Sequence, residues 1–123
     1  MSFKKIRIFP FKFDTSSLWL VSKMVEKNPR DVPSLIVKGF MLYELGWYKE
    51  AIECFDKVLE IQPKFAMAWY SKGCALLMLG RYEEALECFN KALAMGDDPW
   101  IRNFIPEIRR IKEEIEKKLK SKA

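Results

Sequence analysis

Histidine is missing from this chain of 123 residues. Because histidine is the commonest general base and a favoured metal ligand, its absence removes the usual starting point for catalysis or metal binding. The sequence also shows no nucleophile beside a base and no phosphate-binding glycine loop. We therefore expect a protein that is not an enzyme and that uses neither a cofactor nor a metal.

Cysteine is scarce as well, with only Cys54, Cys74 and Cys88. Their spacing matches no zinc or redox motif, and an odd number of cysteines cannot pair completely within one chain. We interpret them as small, partly buried apolar side chains.

Long apolar runs are absent too. The longest uncharged run, GCALLMLG at residues 73–80, is far too short to cross a bilayer, so we expect no membrane association. Basic residues near the start are followed by Lys12 and Asp14, which interrupt the apolar stretch that an export signal requires. These features favour a cytoplasmic protein. Five glycines and six prolines are too few for a loop-rich β-sandwich or barrel.

The net charge of +5 is moderate, and basic residues concentrate at the two ends of the chain, at positions 4–7 and 117–122. Charge that is divided in this way favours solubility over nucleic-acid binding, which usually needs one basic stripe. Nucleic acid is therefore not expected as a partner.

The main positive feature is an internal repeat. Residues 29–62 and 63–96 share fourteen identical positions at a spacing of 34 residues, far more than unrelated segments would share. The identical pairs are Pro29/Pro63, Lys38/Lys72, Gly39/Gly73, Leu42/Leu76, Leu45/Leu79, Gly46/Gly80, Tyr48/Tyr82, Glu50/Glu84, Ala51/Ala85, Glu53/Glu87, Cys54/Cys88, Phe55/Phe89, Lys57/Lys91 and Leu59/Leu93.

Each unit is predicted to contain two helices. The apolar periodicity places them at residues 33–45 and 48–61 in the first unit, and at 67–79 and 82–94 in the second. Gly46 and Gly80 are expected to end the first helix of each unit. Gly39 and Gly73 lie within those helices at an intrinsic cost of about 1 kcal/mol, which indicates close packing against the second helix, with Ala51 and Ala85 as the small partners.

These positions carry a family resemblance. The second unit resembles a tetratricopeptide repeat through Pro63, Trp69, Gly73, Leu76, Gly80, Tyr82, Ala85, Phe89 and Ala92. The first unit matches through Gly39, Leu42, Gly46, Tyr48, Ala51, Phe55 and Pro63, and Leu35 stands where the family has tryptophan. Lys38 and Lys72 stand where the family usually has leucine. The resemblance implies an all-α solenoid of stacked helix-turn-helix hairpins.

About three such units are needed for a stable stack, so the flanks are expected to cap it. We predict one domain over residues 1–123. Its parts are an extended N-terminal arm at 1–13, a capping helix at 14–28, repeats at 32–65 and 66–99, and a C-terminal capping helix at 100–121, which Pro106 is expected to break or kink.

The resemblance further implies a concave surface that binds peptides or helices of partner proteins. We define the inner face as the apolar residues predicted to line it: Ile36, Phe40, Tyr43, Met67, Tyr70, Cys74 and Leu77. Apolar side chains at these places argue against the family's lysine- and asparagine-based carboxylate clamp. The same residues could instead be ordinary core, covered by the protein's own flanks.

The leading hypothesis is therefore a non-catalytic module that binds an apolar or amphipathic segment of a protein or peptide partner. The alternative is a self-assembling protein, a homo-oligomer in which arms or end helices pair between copies. The N-terminal arm is compatible with both hypotheses.

The arm is rich in phenylalanine and isoleucine, and Pro10 forbids a helix there. We therefore predict that the arm lies extended as a displaceable plug, either in the groove of its own chain or in that of a neighbouring copy.

Overall fold

The computed structural model describes residues 3–6 and 15–122, and these residues form helices without any strand. A short 3₁₀ turn, Thr15–Ser17, leads into the first helix. The helices are α1 (Leu18–Lys27), α2 (Val32–Glu44), α3 (Tyr48–Ile61), α4 (Ala66–Met78), α5 (Tyr82–Ala94), α6 (Pro99–Arg102) and α7 (Ile105–Lys122). The predicted all-α solenoid of helical hairpins is confirmed.

The helices stack in chain order. The α2–α3 and α4–α5 hairpins are the two repeats, and α3 packs against α4 to join them. At the front, α1 packs on α2 but has no buried residue of its own. At the back, α6 contacts α4, while α7 packs along α5 and buries Ile108, Ile111 and Ile115. One continuous apolar core therefore runs through both repeats and into α7.

The turn inside each repeat is built the same way. Gly46 and Gly80 have φ angles of 83° and 76°, a left-handed conformation that glycine adopts without a steric penalty. The amides of Trp47 and Arg81 donate to the carbonyls of Leu42 and Leu76, five residues earlier, which is the hydrogen bond of a Schellman motif. The same glycine turn and backbone hydrogen bond therefore end α2 in the first repeat and α4 in the second.

Aspartates and prolines set the start of other helices. The Asp31 carboxylate accepts from the Ser34 amide at the start of α2, and the Asp98 carboxylate accepts from the amides of Trp100 and Ile101 at the start of α6. Pro106 does not break a continuous helix as expected. It lies in the first turn of α7, where a missing amide hydrogen costs no helical hydrogen bond, and the break between α6 and α7 comes earlier.

The close approach inside each hairpin exists, but its partner differs from the prediction. A Cβ atom on Gly39 would lie 2.5 Å from a ring carbon of Phe55, and one on Gly73 would lie 2.8 Å from a ring carbon of Phe89. The predicted partner Ala51 is buried but is not among the nearest neighbours of that position. Glycine is needed here because a flat ring, not a small side chain, covers the helix backbone.

The lysine at position 72 has a structural explanation. Its ammonium lies 2.6 Å from a carboxylate oxygen of Asp56 on α3 and 5.8 Å from the centre of the Trp69 ring. The ammonium of Lys91 also lies over that ring, at 4.4 Å. Lys72 therefore links the two repeats at the outer edge of the helix pair.

Candidate functional site

The seven residues of the inner face lie on α2 and α4, and in this structure that face is covered. Six of its seven residues are buried, and Met67 is half-buried. Two segments outside the repeats contact it. The described part of the arm, residues 3–6, contacts Tyr43, and the α6–α7 region contacts Tyr70.

The arm is held at Tyr43 by main-chain contacts. The Tyr43 hydroxyl donates to the carbonyl oxygen of Ile6 at 2.7 Å, and the Lys5 ammonium donates to the carbonyl oxygen of Glu44 at 2.6 Å. The same ammonium lies 5.2 Å from the Tyr43 ring centre and 5.9 Å from that of Tyr48. Burial raises the pKa of the Tyr43 phenol far above its ordinary value, so the hydroxyl keeps the proton that it donates.

The other end of this segment is held by Phe3. Its ring centre is 5.8 Å from that of Tyr82, and the Lys118 ammonium lies 5.0 Å from Phe3 and 5.6 Å from Tyr82. Tyr48 and Tyr82 are equivalent positions of the two repeats. In the first repeat, Lys5 lies over Tyr48 and Tyr43. In the second repeat, Lys118 lies over Tyr82 and over Phe3 of the arm.

Trp100 and Phe104 cover the opposite end of the inner face. Their ring centres lie 5.7 Å and 5.2 Å from that of Tyr70, and 4.5 Å from each other. Sequence reasoning did not assign them to the site. The signal was an aromatic pair four residues apart just after the last repeat, a spacing that puts both side chains on one helical face.

The Tyr70 hydroxyl is buried and has no hydrogen bond of good geometry within the described part of the chain. The Cys74 thiol interacts with it, but a thiol is a weak partner. Burial raises the pKa of both groups above their ordinary values, so both stay neutral. This end of the face is therefore apolar in practice and offers little polar recognition.

The cysteines are free, buried thiols. Burial raises the pKa of Cys88 to about 11 and also raises that of Cys54, so neither forms a reactive thiolate near neutral pH. Within residues 3–6 and 15–122 there is no cluster of acidic, cysteine or histidine side chains that could hold a metal ion. In the same residues, no helix has the length and apolar character that crossing a bilayer requires.

The basic residues of the two chain ends do not stay apart. Lys4 from the arm and Lys117 and Lys118 from α7 line one cavity, together with Arg110. The expectation that the positive charge is divided between two separate places is therefore wrong for these residues. Phe9, Phe11 and Phe13 of the arm lie outside the described residues.

Comparisons with known proteins agree with this geometry. A family model described as tetratricopeptide repeat matches residues 66–95, and one described as TPR repeat matches residues 39–80. No curated protein matches the sequence.

Three solved structures illustrate the fold. The TPR2B domain of yeast Sti1, in a complex with pHsp70, superimposes with a TM-score of 0.73 at 22% identity over 83% of this chain and 82% of that one. The TPR2AB domain of yeast Sti1, in a complex with pHSP90, gives 0.71 at 22% identity over 81% of this chain and 39% of that one. The first TPR domain of human RPAP3 gives 0.65 at 15% identity, over 82% and 80%.

The 34-residue repeats, the paired helices with their glycine turns and the two family-model matches lead to one assignment. Residues 39–95 of this chain match models of the tetratricopeptide repeat, and its fold is that of tetratricopeptide repeat domains.

Proposed function

We propose that this protein is a non-catalytic protein-interaction module that binds an apolar or amphipathic peptide along its inner face, and that its own arm occupies part of this groove. The observation that carries the proposal is the bond from the Tyr43 hydroxyl to the Ile6 carbonyl. It is a side-chain contact to the main chain of a segment without helix or strand, which is how a groove holds a peptide whatever its sequence.

The chemistry of the inner face indicates the type of ligand. Ile36, Phe40, Tyr70 and Cys74 provide no cation, so the face suits apolar side chains rather than a terminal carboxylate. The two Sti1 domains were solved in complexes with pHsp70 and pHSP90, which supports peptide binding by this fold. Their low identity to this chain leaves the ligand to be inferred from its own residues.

The energetics suit a displaceable arm. Full burial of a large apolar side chain stabilises by about 1.5–3 kcal/mol, and Phe3 and Ile6 are each only half-buried. Two hydrogen bonds add about 1 kcal/mol each. Ordering four residues costs about 1–2 kcal/mol per residue, which is of similar total size. A competing peptide could therefore replace the arm without unfolding the repeats.

The direct test uses the arm as the probe. A labelled peptide with the sequence of residues 3–14 is titrated into protein that lacks residues 1–13 and into the intact protein, and binding is followed by fluorescence anisotropy. We expect the shortened protein to bind the peptide more tightly, because its groove is open. A control peptide in which serine replaces every phenylalanine and isoleucine should bind neither protein. Equal affinity of the two peptides for the shortened protein would contradict the proposal.

Two tyrosine variants locate the binding surface. Tyr43→Phe should weaken binding of the arm peptide roughly fivefold, because one hydrogen bond is worth about 1 kcal/mol. Tyr70→Phe is the matched control, since it removes a buried hydroxyl that has no hydrogen-bond partner in the described part of the chain. Identical losses in both variants would place the peptide elsewhere.

Self-assembly is the second candidate, and one observation favours it. Trp19, Leu20 and Met24 on the outer side of α1 are 67%, 48% and 49% exposed, an unusual density of apolar surface at the end of a stack. Light scattering on the intact and the arm-deleted protein decides between the candidates. A monomeric mass for the intact protein across the working concentration range would exclude assembly, and a dimer that becomes a monomer without the arm would indicate exchanged arms.

A further inference from the structure

A cavity lies between the arm and the C-terminal helix α7. It has a volume of about 450 Å³, within the range of ligand sites, and its walls are the arm and α7. Phe3, Ile6 and Ile111 provide its apolar floor. None of the seven residues of the inner face lines it.

The rim of this cavity is basic. Lys4, Arg110, Lys117 and Lys118 line it, with Glu114 as the single carboxylate. Arg110 bonds both Glu107 and Glu114, so its single positive charge is shared between two carboxylates, and the net positive charge of the rim comes from the lysines. In the part of the chain that the structure describes, Lys4 and Lys117 form no ion pair, and both side chains are exposed. Two uncompensated cations therefore flank an apolar depression.

We propose that the cleft between the arm and α7 binds an acidic peptide segment that inserts a bulky apolar side chain between its carboxylates. The apolar floor would take the side chain, and Lys4 and Lys117 would face the flanking carboxylates. A nucleic-acid backbone fits less well, because it needs an extended row of cations rather than a compact cavity with an apolar base.

The arm has opposite effects on the two sites. It covers the inner face but supplies Phe3, Lys4 and Ile6 to the cleft, so the cleft exists only while the arm is in place. An acidic peptide in the cleft would hold the arm down and oppose a ligand of the groove. The cleft itself does not depend on whether the groove binds peptides.

Calorimetric titration of the full chain tests the cleft. The probe is a short, end-blocked peptide with a central leucine flanked by aspartates, and the blocked ends remove any contribution from a terminal carboxylate. We expect Lys117→Glu to weaken its binding about tenfold or more, since a reversed charge replaces attraction with repulsion. Lys120→Glu is the matched control, because it makes the same charge change at an exposed position of α7 outside the cavity.

Four results would overturn the proposal. They are no detectable binding of the probe, equal losses in the Lys117→Glu and Lys120→Glu variants, equal binding of a probe whose leucine is replaced by serine, or tighter Lys117-dependent binding of oligothymidylate. Removing residues 1–13 separates this inference from the proposed function. The acidic probe should lose its site, whereas the arm peptide should gain one.

Discussion

At the scale of single residues, the glycines inside α2 and α4 are explained by the aromatic rings that cover them. In each repeat a phenylalanine ring lies where a Cβ atom would clash, since a Cβ added to Gly39 or Gly73 would lie 2.5 Å or 2.8 Å from a ring carbon. The sequence revealed that these positions needed glycine, since the pattern appears twice. It could not reveal which side chain approached, because Ala51 and Phe55 lie one turn apart on the same helical face.

Replacing Gly73 with alanine should therefore destabilise the fold. Alanine favours a helix by about 1 kcal/mol over glycine, but forcing a group into a packed core costs about 1–3 kcal/mol. We expect a lower midpoint of urea unfolding. Gly96→Ala is the control, because a Cβ atom there meets its nearest atom at 3.4 Å.

The clash can also be relieved from the opposite side. Combining Gly73→Ala with Phe89→Leu should cost less than the sum of the two single changes, because the smaller side chain makes room for the methyl group. Strictly additive free energies of unfolding would show that Phe89 is not the residue responsible.

The buried tyrosines predict how stability depends on pH. Burial raises the pKa of Tyr43 and Tyr70 above the ordinary 10.0, and that of Cys74 above the ordinary 9.0. Above these ordinary values the unfolded chain releases protons that the folded chain keeps. The free energy of unfolding therefore has its full value below about pH 9 and falls as the pH rises further.

Tyr70→Phe should reduce this alkaline loss of stability and should not destabilise the protein at neutral pH, since its hydroxyl lacks a strong partner. Urea unfolding at neutral and alkaline pH measures both effects. A large loss at neutral pH would mean that the hydroxyl has a partner that stabilises the fold.

At the scale of helices, sequence prediction succeeded where one side of the helix is apolar. The bounds predicted for the second helix of each repeat match α3 and α5, which have a clean apolar stripe. The C-terminal region was harder. The capping helix predicted at 100–121, with a break or kink at Pro106, is divided earlier, into α6 and α7. Asp98 caps a short first turn, and the chain bends at residues 103–104 before α7 begins.

The turn glycines give a prediction at this scale. Gly80→Ala should destabilise by about 1–2 kcal/mol, because a side chain is strained at a φ of 76° even though no atom crowds the position. Gly80→Asn should cost less, since asparagine tolerates the left-handed conformation better. Equal losses for the two variants, measured by thermal melting, would show that strain is not the cause.

At the scale of the whole molecule, the repeat predicted the stack of hairpins but not which segments cover its inner face. Ile36, Phe40 and Tyr70 lie on α2 and α4. Phe40 and Tyr70 also pack against the second helices, with ring centres 5.8 Å from Phe55 and 6.0 Å from Phe89. Trp100 and Phe104 cover Tyr70, and the arm contacts Tyr43, but these segments lie outside the repeat and therefore outside its periodicity. Contacts between distant parts of a chain leave no such periodic signal.

Removing residues 1–13 tests this closure. The shortened protein should bind more of a hydrophobic dye than the intact protein does, because the Tyr43 end of the inner face loses its cover. Circular dichroism should show the same helical content in both. An unchanged dye signal would mean that α6 and α7 alone close the face.

The contact of Phe3 with Tyr82 and Lys118 also has a consequence for the order of folding. It joins segments that are almost the full chain length apart, whereas each hairpin joins neighbours. Contacts between neighbouring segments form quickly, whereas contacts between distant segments lose more conformational entropy on loop closure. We therefore expect the hairpins to form first and the arm to dock last. On the ribosome the arm emerges long before α7. A nascent chain therefore holds its apolar surface open until α7 has been made, and in that interval it is most exposed to chaperones and to aggregation.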